Sequence, residues 1–505
     1  MSMKIARLLR AAGYGLGLLL ACGAAAASED PAALYAKHCA ACHAPDRLGG
    51  MGPALLPDNL SRLRKADAAA VIADGRAATQ MPAFVGALSK GEIAALADWI
   101  YTPVVPAPRW TDADILASRI QHADPATLSA RPVFAADPLN LFLVVEAGDH
   151  HVSVLDGDRL EPIFRFQSRF ALHGGPKFAQ GGRYVFFGSR DGWVSKFDLW
   201  NLKMVAEVRA GINARNVAVS PDGRHVAVAN YLPNTLVLLD GDLNLIRTIP
   251  VAAEDDGRAS RVSAVYDARP RQSFIAALKD VPEVWEIPYA GSAADPGHLV
   301  PRRTRLTEVL DDFFFTQDYG QLMGASREGR GQVVSLDARR KIADLPLPGM
   351  PHLGSGITWK RDGRVLMAST NLKAAEVTVI DLADWSVVRR IPTRGPGFFL
   401  RSHEKSDYAF VDSMMSPTAR NVLQVIDKRT LEVVREIEGP PGRTLAHVEF
   451  TRDGRHALAS LWEDDGAIVV FDARTLAEVK RIPMRKPVGK YNVWNKINQD
   501  EGTSH

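Results

Sequence analysis

Three distant stretches of the chain carry almost the same line: Ser220-Pro221-Asp222-Gly223-Arg224-His225-Val226-Ala227-Val228, Lys360-Arg361-Asp362-Gly363-Arg364-Val365-Leu366-Met367-Ala368 and Thr451-Arg452-Asp453-Gly454-Arg455-His456-Ala457-Leu458-Ala459. Each reads as a tight turn feeding a buried strand, because Asp-Gly supplies turn geometry and the aliphatic run that follows fills a core. Weaker copies stand at 137–144, 181–187, 269–276, 318–324 and 406–411. Most copies lead to an aliphatic strand ending in aspartate, at Asp156, Asp198, Asp240, Asp337, Asp381, Asp427 and Asp472. Eight copies roughly 41–49 residues apart fit four short strands per repeat. That period is too long for a hexapeptide solenoid and too strand-rich for helical repeats. An all-β eight-bladed β-propeller over 131–505 is the expectation. The W-D and G-H signatures of common propellers are missing, and a propeller by itself states no function.

Ahead of the repeats the chain has a different character. Met1–Arg10 is basic and Ala11–Cys22 is apolar but far shorter than the roughly 20 residues that span a bilayer, so 1–27 reads as a secretory leader cleaved before Ser28. A competing reading lipidates Cys22 in Leu19-Leu20-Ala21-Cys22. Only Cys39 and Cys42 would remain in the exported protein, within Cys39-Ala40-Ala41-Cys42-His43. This is the C-x-x-C-H of covalent haem attachment, with two thiols for the vinyl groups and His43 for the iron. Zinc would need two further ligands that no second cluster supplies.

A small all-α cytochrome c domain is expected over 28–103, from a leading helix at 31–38 to a final helix at 89–101 that buries Ile93, Leu96, Ala97 and Ile100. Met81, in Thr79-Gln80-Met81-Pro82, is the natural sixth ligand, with Met51 its rival; a thioether there suits electron transfer. Residues 104–130 read as a linker. It is stiffened by Pro106 and Pro108 and carries a helix at 110–122 that would lie on a neighbour through Ile115, Leu116 and Ile120. The 61 basic and 58 acidic residues are interleaved, with net charge +3, which argues against a nucleic-acid partner.

Among the histidines of the body, His225 and His456 belong to the repeat and read as packing. His150, His151, His298 and His403 read as solvated loop ends. His173, before Gly174-Gly175, and His352 and His447, one blade position from the axial side, are the candidates for a ligand on the propeller axis.

A C-x-x-C-H domain followed by an eight-bladed propeller resembles the cytochrome cd1 group, whose propeller carries heme d1 on its axis. Phe170-Ala171-Leu172-His173 resembles the segment with the proximal heme d1 histidine, followed by Gly188-Ser189-Arg190-Asp191-Gly192 and Phe197-Asp198-Leu199-Trp200. Ala214-Arg215 and Ala229-Asn230-Tyr231-Leu232-Pro233 look like segments that contact the heme carboxylates. The resemblance thus implies Arg190 and Arg215 as fork-shaped charge partners and Tyr231 as a hydroxyl donor. Pro487–Asn495 matches the group's C-terminal ending. Of the two distal histidines of nitrite-reducing members, the first position falls at Asp311, and only His352 is retained.

With His447 and Tyr491, the pattern looks most like the NirN-type branch, the dihydro-heme d1 dehydrogenases of heme d1 biosynthesis. The resemblance implies a periplasmic oxidoreductase that turns a propionate side chain into the acrylate of heme d1. Electrons would pass through haem c to a periplasmic electron acceptor, with a cytochrome cd1 nitrite reductase as a possible receiver of the product. It implies His173 and His352 as iron ligands of the substrate, and His447 and Tyr491 as the catalytic pair. The alternatives are a nitrite reductase and a non-catalytic heme d1 carrier.

Overall fold

The computed structural model describes residues 29–50, 52–60, 63–75, 81–292, 294–295, 297–498 and 501–502. The leader, Cys22 and Met51 lie outside the described residues.

Among the described residues the body is built of eight antiparallel sheets, seven of four strands and one of five. In blade 1 the C-terminal strand Pro487–Asn492 pairs with Leu141–Glu146, which continues into His151–Asp156 and Glu161–Gln167. Both ends of the repeat region thus share one sheet, and the closed ring leaves no open seam between first and last blade. The inner strands of blades 2–8 are Lys177–Ala179, Asn213–Val219, Val262–Ala268, Asp312–Phe315, Ile357–Arg361, Leu400–Arg401 and Leu445–Phe450. All start at one face, called upper below, and end at the lower face.

The repeated residues have local jobs. Asp156, Asp198, Asp240, Asp381, Asp427 and Asp472 each end a third strand and accept a backbone N–H from the turn that follows, as Asp156 does from Asp158 at 2.8 Å and Asp427 from Arg429 at 2.8 Å. That side-chain turn stops the strand and points the chain back as the outer strand. Aliphatic clusters fill the seams between blades, such as Ala227, Leu236, Val262, Phe274 and Trp285 between blades 3 and 4.

In the head, helices Pro31–His38, Ala40–His43, Pro57–Leu60, Lys65–Asp74 and Lys90–Trp99 pack around Leu34, Tyr35, Ile93, Leu96, Ala97 and Ile100. Ser89 accepts from Glu92 N–H while the Glu92 carboxylate accepts from Ser89 N–H, a reciprocal cap that starts the last helix. The linker is more structured than a tether. Its helix, Asp112–Ser118, buries Ile115 in the seam of blades 2 and 3, and Ile120–Gln121 adds a fifth strand to blade 2. Leu116 and Ile120 are exposed, so the expected apolar face narrows to Ile115. The head docks on the upper face, where Ala54 and Leu56 pack on Ile212 and Arg209 Nη2 donates to the Leu48 carbonyl at 2.9 Å.

Candidate functional site

Cys39 joins two helices and Cys42 lies one helical turn further on, which puts both thiols on one side; both are free. Burial pushes the Cys39 thiol up to about 11. His43 is buried, and its Nδ1 lies 2.8 Å from the Pro53 carbonyl. A carbonyl only accepts, so Nδ1 carries the proton and Nε2 keeps the lone pair that iron needs. Burial holds His43 below the ordinary histidine range, hence neutral. Gly52 makes room: a Cβ there would stand 2.5 Å from the imidazole. Met81 packs on the same helical core, with Cys39 and Phe84. Two free thiols, a neutral imidazole with its Nε2 lone pair and a thioether fit a haem c.

The second site is a cavity of about 320 Å³ on the propeller axis, open between inner strands at their upper ends. His173 precedes the inner strand of blade 2, His352 that of blade 6, and Phe398 and Phe399 that of blade 7. All of them line the cavity with His447 and Tyr491. His173 Nδ1 lies 2.7 Å from the Arg215 carbonyl, so Nε2 is the acceptor, and it receives Arg215 Nη1 at 2.8 Å and Arg190 Nη2 at 3.0 Å. Burial first, then these two guanidiniums, keep His173 well below the ordinary range. His352 Nδ1 is 2.8 Å from the Phe398 carbonyl, which leaves its Nε2 lone pair toward the cavity; burial likewise lowers its basicity.

An aromatic wall runs from His352 to Phe398, Phe399, His447 and Tyr491, with successive ring centroids 3.9, 4.7, 4.5 and 5.1 Å apart. His447 sits in a bulge of the inner strand of blade 8, with a left-handed backbone at φ 53°, a strained setting for a residue with a Cβ. The Lys490 ammonium donates to its carbonyl. Burial, then the Lys490 and Arg401 charges, hold His447 well below the ordinary range, so it is neutral. Burial raises the Tyr491 phenol, which stays protonated and acts as a hydroxyl. Gly175, at φ 67°, lets the Tyr491 ring lie close; a Cβ there would come within 2.9 Å of it.

The structure therefore brings His173, His352, His447, Tyr491 and Arg215 to one cavity and sets Arg190 against the His173 Nε2. Tyr231 stands beyond the cavity wall, where Arg327 interacts with both it and the cavity residue Arg215. The Tyr231 ring lies 5.5 Å from the Arg261 guanidinium, and it does not line the cavity.

The profile "Cytochrome D1 heme domain" matches residues 136–496, and "Cytochrome C oxidase, cbb3-type, subunit III" matches 26–100. A dihydro-heme d1 dehydrogenase of Pseudomonas aeruginosa is 55% identical over 499 residues, covering 98% of this chain and 100% of that protein. The solved structure "Dihydro-heme d1 dehydrogenase NirN in complex with DHE" superposes with TM-score 0.85 at 55% identity, covering 92% of this chain and 100% of that one. The chain belongs to the dihydro-heme d1 dehydrogenase family. A nitrite reductase of Stutzerimonas stutzeri is 25% identical over 562 residues, covering 96% of this chain and 97% of that protein.

For a dihydro-heme d1 dehydrogenase, the residues that sequence reasoning missed are instructive. Phe398 and Phe399 follow Gly395-Pro396-Gly397 in the loop equivalent to that of His352, one blade on, so the repeat itself marked them. Trp462 lines the cavity with a buried Nε1 that has no hydrogen-bond partner among the described residues, a donor for a ligand acceptor. Arg401 and Glu449, paired at 2.7 Å, and Lys496 form the floor, and no motif announced them. Asp311 does not line the cavity; it pairs with Lys279 and with Arg327 at 3.0 Å. As an acceptor to two cations it does not replace the proton donor of a nitrite reductase.

Proposed function

We propose that this chain oxidises dihydro-heme d1 to heme d1 by removing two hydrogens from one propionate side chain. The observation that carries this is the aromatic wall, which sets a neutral His447 beside Tyr491 on the same cavity as two imidazoles whose Nε2 lone pairs suit iron. The balance is –CH₂–CH₂–COO⁻ to –CH=CH–COO⁻ with release of two protons and two electrons. His173 and His352 hold the substrate iron and so fix the macrocycle, bringing the side chain within reach of the base. For His173 to do so, the Arg190 and Arg215 guanidiniums leave its Nε2 and turn to the substrate carboxylates, for which their forked geometry is suited. His447 takes the first proton, and the Tyr491 hydroxyl holds the reacting carboxylate. A haem c held by Cys39, Cys42, His43 and Met81 supplies a one-electron acceptor. The leader-like N-terminus and covalent haem motif support a periplasmic site of action and an external periplasmic electron acceptor; a cytochrome cd1 nitrite reductase, whose propeller carries heme d1, would be a receiver of the product.

The test mixes purified protein anaerobically with dihydro-heme d1, adds ferricyanide, then extracts the tetrapyrrole for mass analysis. Loss of two hydrogens per molecule is expected. Tightly bound but unchanged tetrapyrrole would mark a carrier, and consumption of nitrite by heme d1-loaded protein supplied with an electron donor in place of ferricyanide a reductase.

A further inference from the structure

Dehydrogenation must deliver two protons to water, and a second cavity shares part of the first one's lining. Pro176, Tyr266 and Lys496 line both the substrate cavity and a smaller cavity of about 40 Å³ beneath it. The smaller one continues past Lys177 and Asp267 to Arg269, which is 29% exposed at the lower face. Lys496 comes from the C-terminal helix Val493–Asn498, which packs against the inner strand of blade 2 and the lower turns of blades 1 and 2. It is 8% exposed.

Two observations mark this shaft as a wet, proton-exchanging one. Asp267 Oδ2 and Arg269 Nε face each other at 3.7 Å, and both atoms are buried and without a hydrogen-bond partner among the described residues. A gap of that length between polar atoms suits a bridging water, and the cavity exceeds the roughly 10–15 Å³ that a water requires. The side chains along it are also ionisable in sequence. Burial brings Lys177 down to about 8, against the opposing pull of Asp312 and Asp267. Asp267 is raised to about 7 by burial, opposed by the Tyr289 hydroxyl that donates to its Oδ1 at 2.6 Å and by Arg269. Lys496 faces Lys177, Arg401, Glu449 and Arg269, and burial first, then Lys177, hold it well below an ordinary lysine. Lys177 and Asp267 thus gain and lose protons near neutrality instead of standing as fixed charges.

We propose that the propeller axis is the proton exit, with protons taken from the side chain passing Lys496 and Lys177 to Asp267 and leaving at the lower face, opposite the docked head. The inference rests on the dehydrogenase reading. Two C–H bonds break on adjacent carbons, a C=C bond forms, two electrons go to one-electron ferric acceptors, and two protons reach solvent.

The test uses the haem-loaded protein, dihydro-heme d1 and ferricyanide in weakly buffered solution. Stopped flow follows tetrapyrrole absorbance together with the colour of phenol red. The unaltered protein should release two protons per substrate; absence of oxidation there would sink the dehydrogenase reading, not the exit route. Asp267→Asn, nearly isosteric at the lower mouth, should slow oxidation and proton release together by about 10- to 100-fold with substrate affinity unchanged, and Lys496→Met should slow both to a similar extent. Added formate or imidazole should restore much of the rate in Asp267→Asn, an effect that a structural role would not give. Unchanged rates in Asp267→Asn, or slowing that small bases do not relieve, would overturn the proposal, and Asp267→Asn decides alone where Lys496→Met does not fold.

Discussion

The head draws Cys39, Cys42 and His43 from a single turn of chain, whereas the axial cavity draws Tyr491, His173, His352 and His447 from blades 1, 2, 6 and 8. The attachment half of the first site needs only a short helix and the carbonyl of Pro53 to be in order, with Met81 added from elsewhere in the head. The second exists only once the ring has closed, because Tyr491 is carried by the C-terminal strand that completes blade 1. A local site is written in a motif; a site made by closure is written in the repeat and in what interrupts it.

If the two are separable, removing the first should leave the second standing. Cys39→Ala with Cys42→Ala should abolish covalent haem, seen as loss of haem stain on a denaturing gel, and reduce tetrapyrrole oxidation to background. Binding of dihydro-heme d1, followed by titration of its absorption band, should stay within a few-fold of the unaltered protein. Loss of that binding would break the comparison. Within the cavity, His447→Ala should lower the single-turnover rate by about 10²- to 10⁴-fold, the usual contribution of a positioned general base, with binding retained. A variant that binds as before and oxidises at the full rate would move the base elsewhere on the wall.

The third prediction concerns what holds the closed-ring site together. Arg401 and Glu449 pair across blades 7 and 8 with side chains 5% and 2% exposed, and Asn495 Nδ2 donates to Glu449 Oε1 at 2.8 Å. Arg401→Met strands a buried carboxylate with two neutral donors, Asn495 Nδ2 and the Phe450 N–H at 2.9 Å, and no ion-pair partner, which costs about 3–5 kcal/mol. The midpoint of urea unfolding of the propeller should fall accordingly, while the head keeps its haem spectrum until a separate, unshifted transition.

Much of this was legible before any coordinates. The Asp-Gly turns and strand-ending aspartates are backbone devices, so they recur with the period and reveal eight blades. His43 and its cysteines are legible because covalent attachment demands fixed spacing. His173 and His352 stand out because they interrupt the repeat at the start of an inner strand. Lys496, Arg401 and Trp462 were not legible, since their burial comes from the crossing of distant segments and leaves no local pattern. Tyr231 shows the converse: its segment resembles a contact sequence, but its ring stands beside Arg261 and off the cavity wall.

His403 is the sharpest case of a residue misread locally, and its test is the smallest in effect. Ser402-His403-Glu404 reads as a solvated loop, yet His403 is 2% exposed, under Phe450 and against the turn at Gly454, where a Cβ would come within 2.6 Å of its ring. Its Nδ1 accepts the Lys405 N–H at 3.1 Å, which a protonated ring cannot do. Burial lowers its folded value to about 4, while the unfolded chain titrates near the ordinary 6.5. Between these values the unfolded state binds more protons. Its contribution to stability is therefore full above about pH 6.5 and is lost as pH falls toward 4, by about 2–3 kcal/mol at pH 4.5. His403→Gln keeps an acceptor for Lys405 but cannot titrate, so the drop in urea midpoint between pH 7 and pH 4.5 should shrink by that amount. An equal drop in both proteins would mean that His403 is wet after all. The burial that keeps the cavity histidines neutral would then be a property of the axis and not of the blade seams.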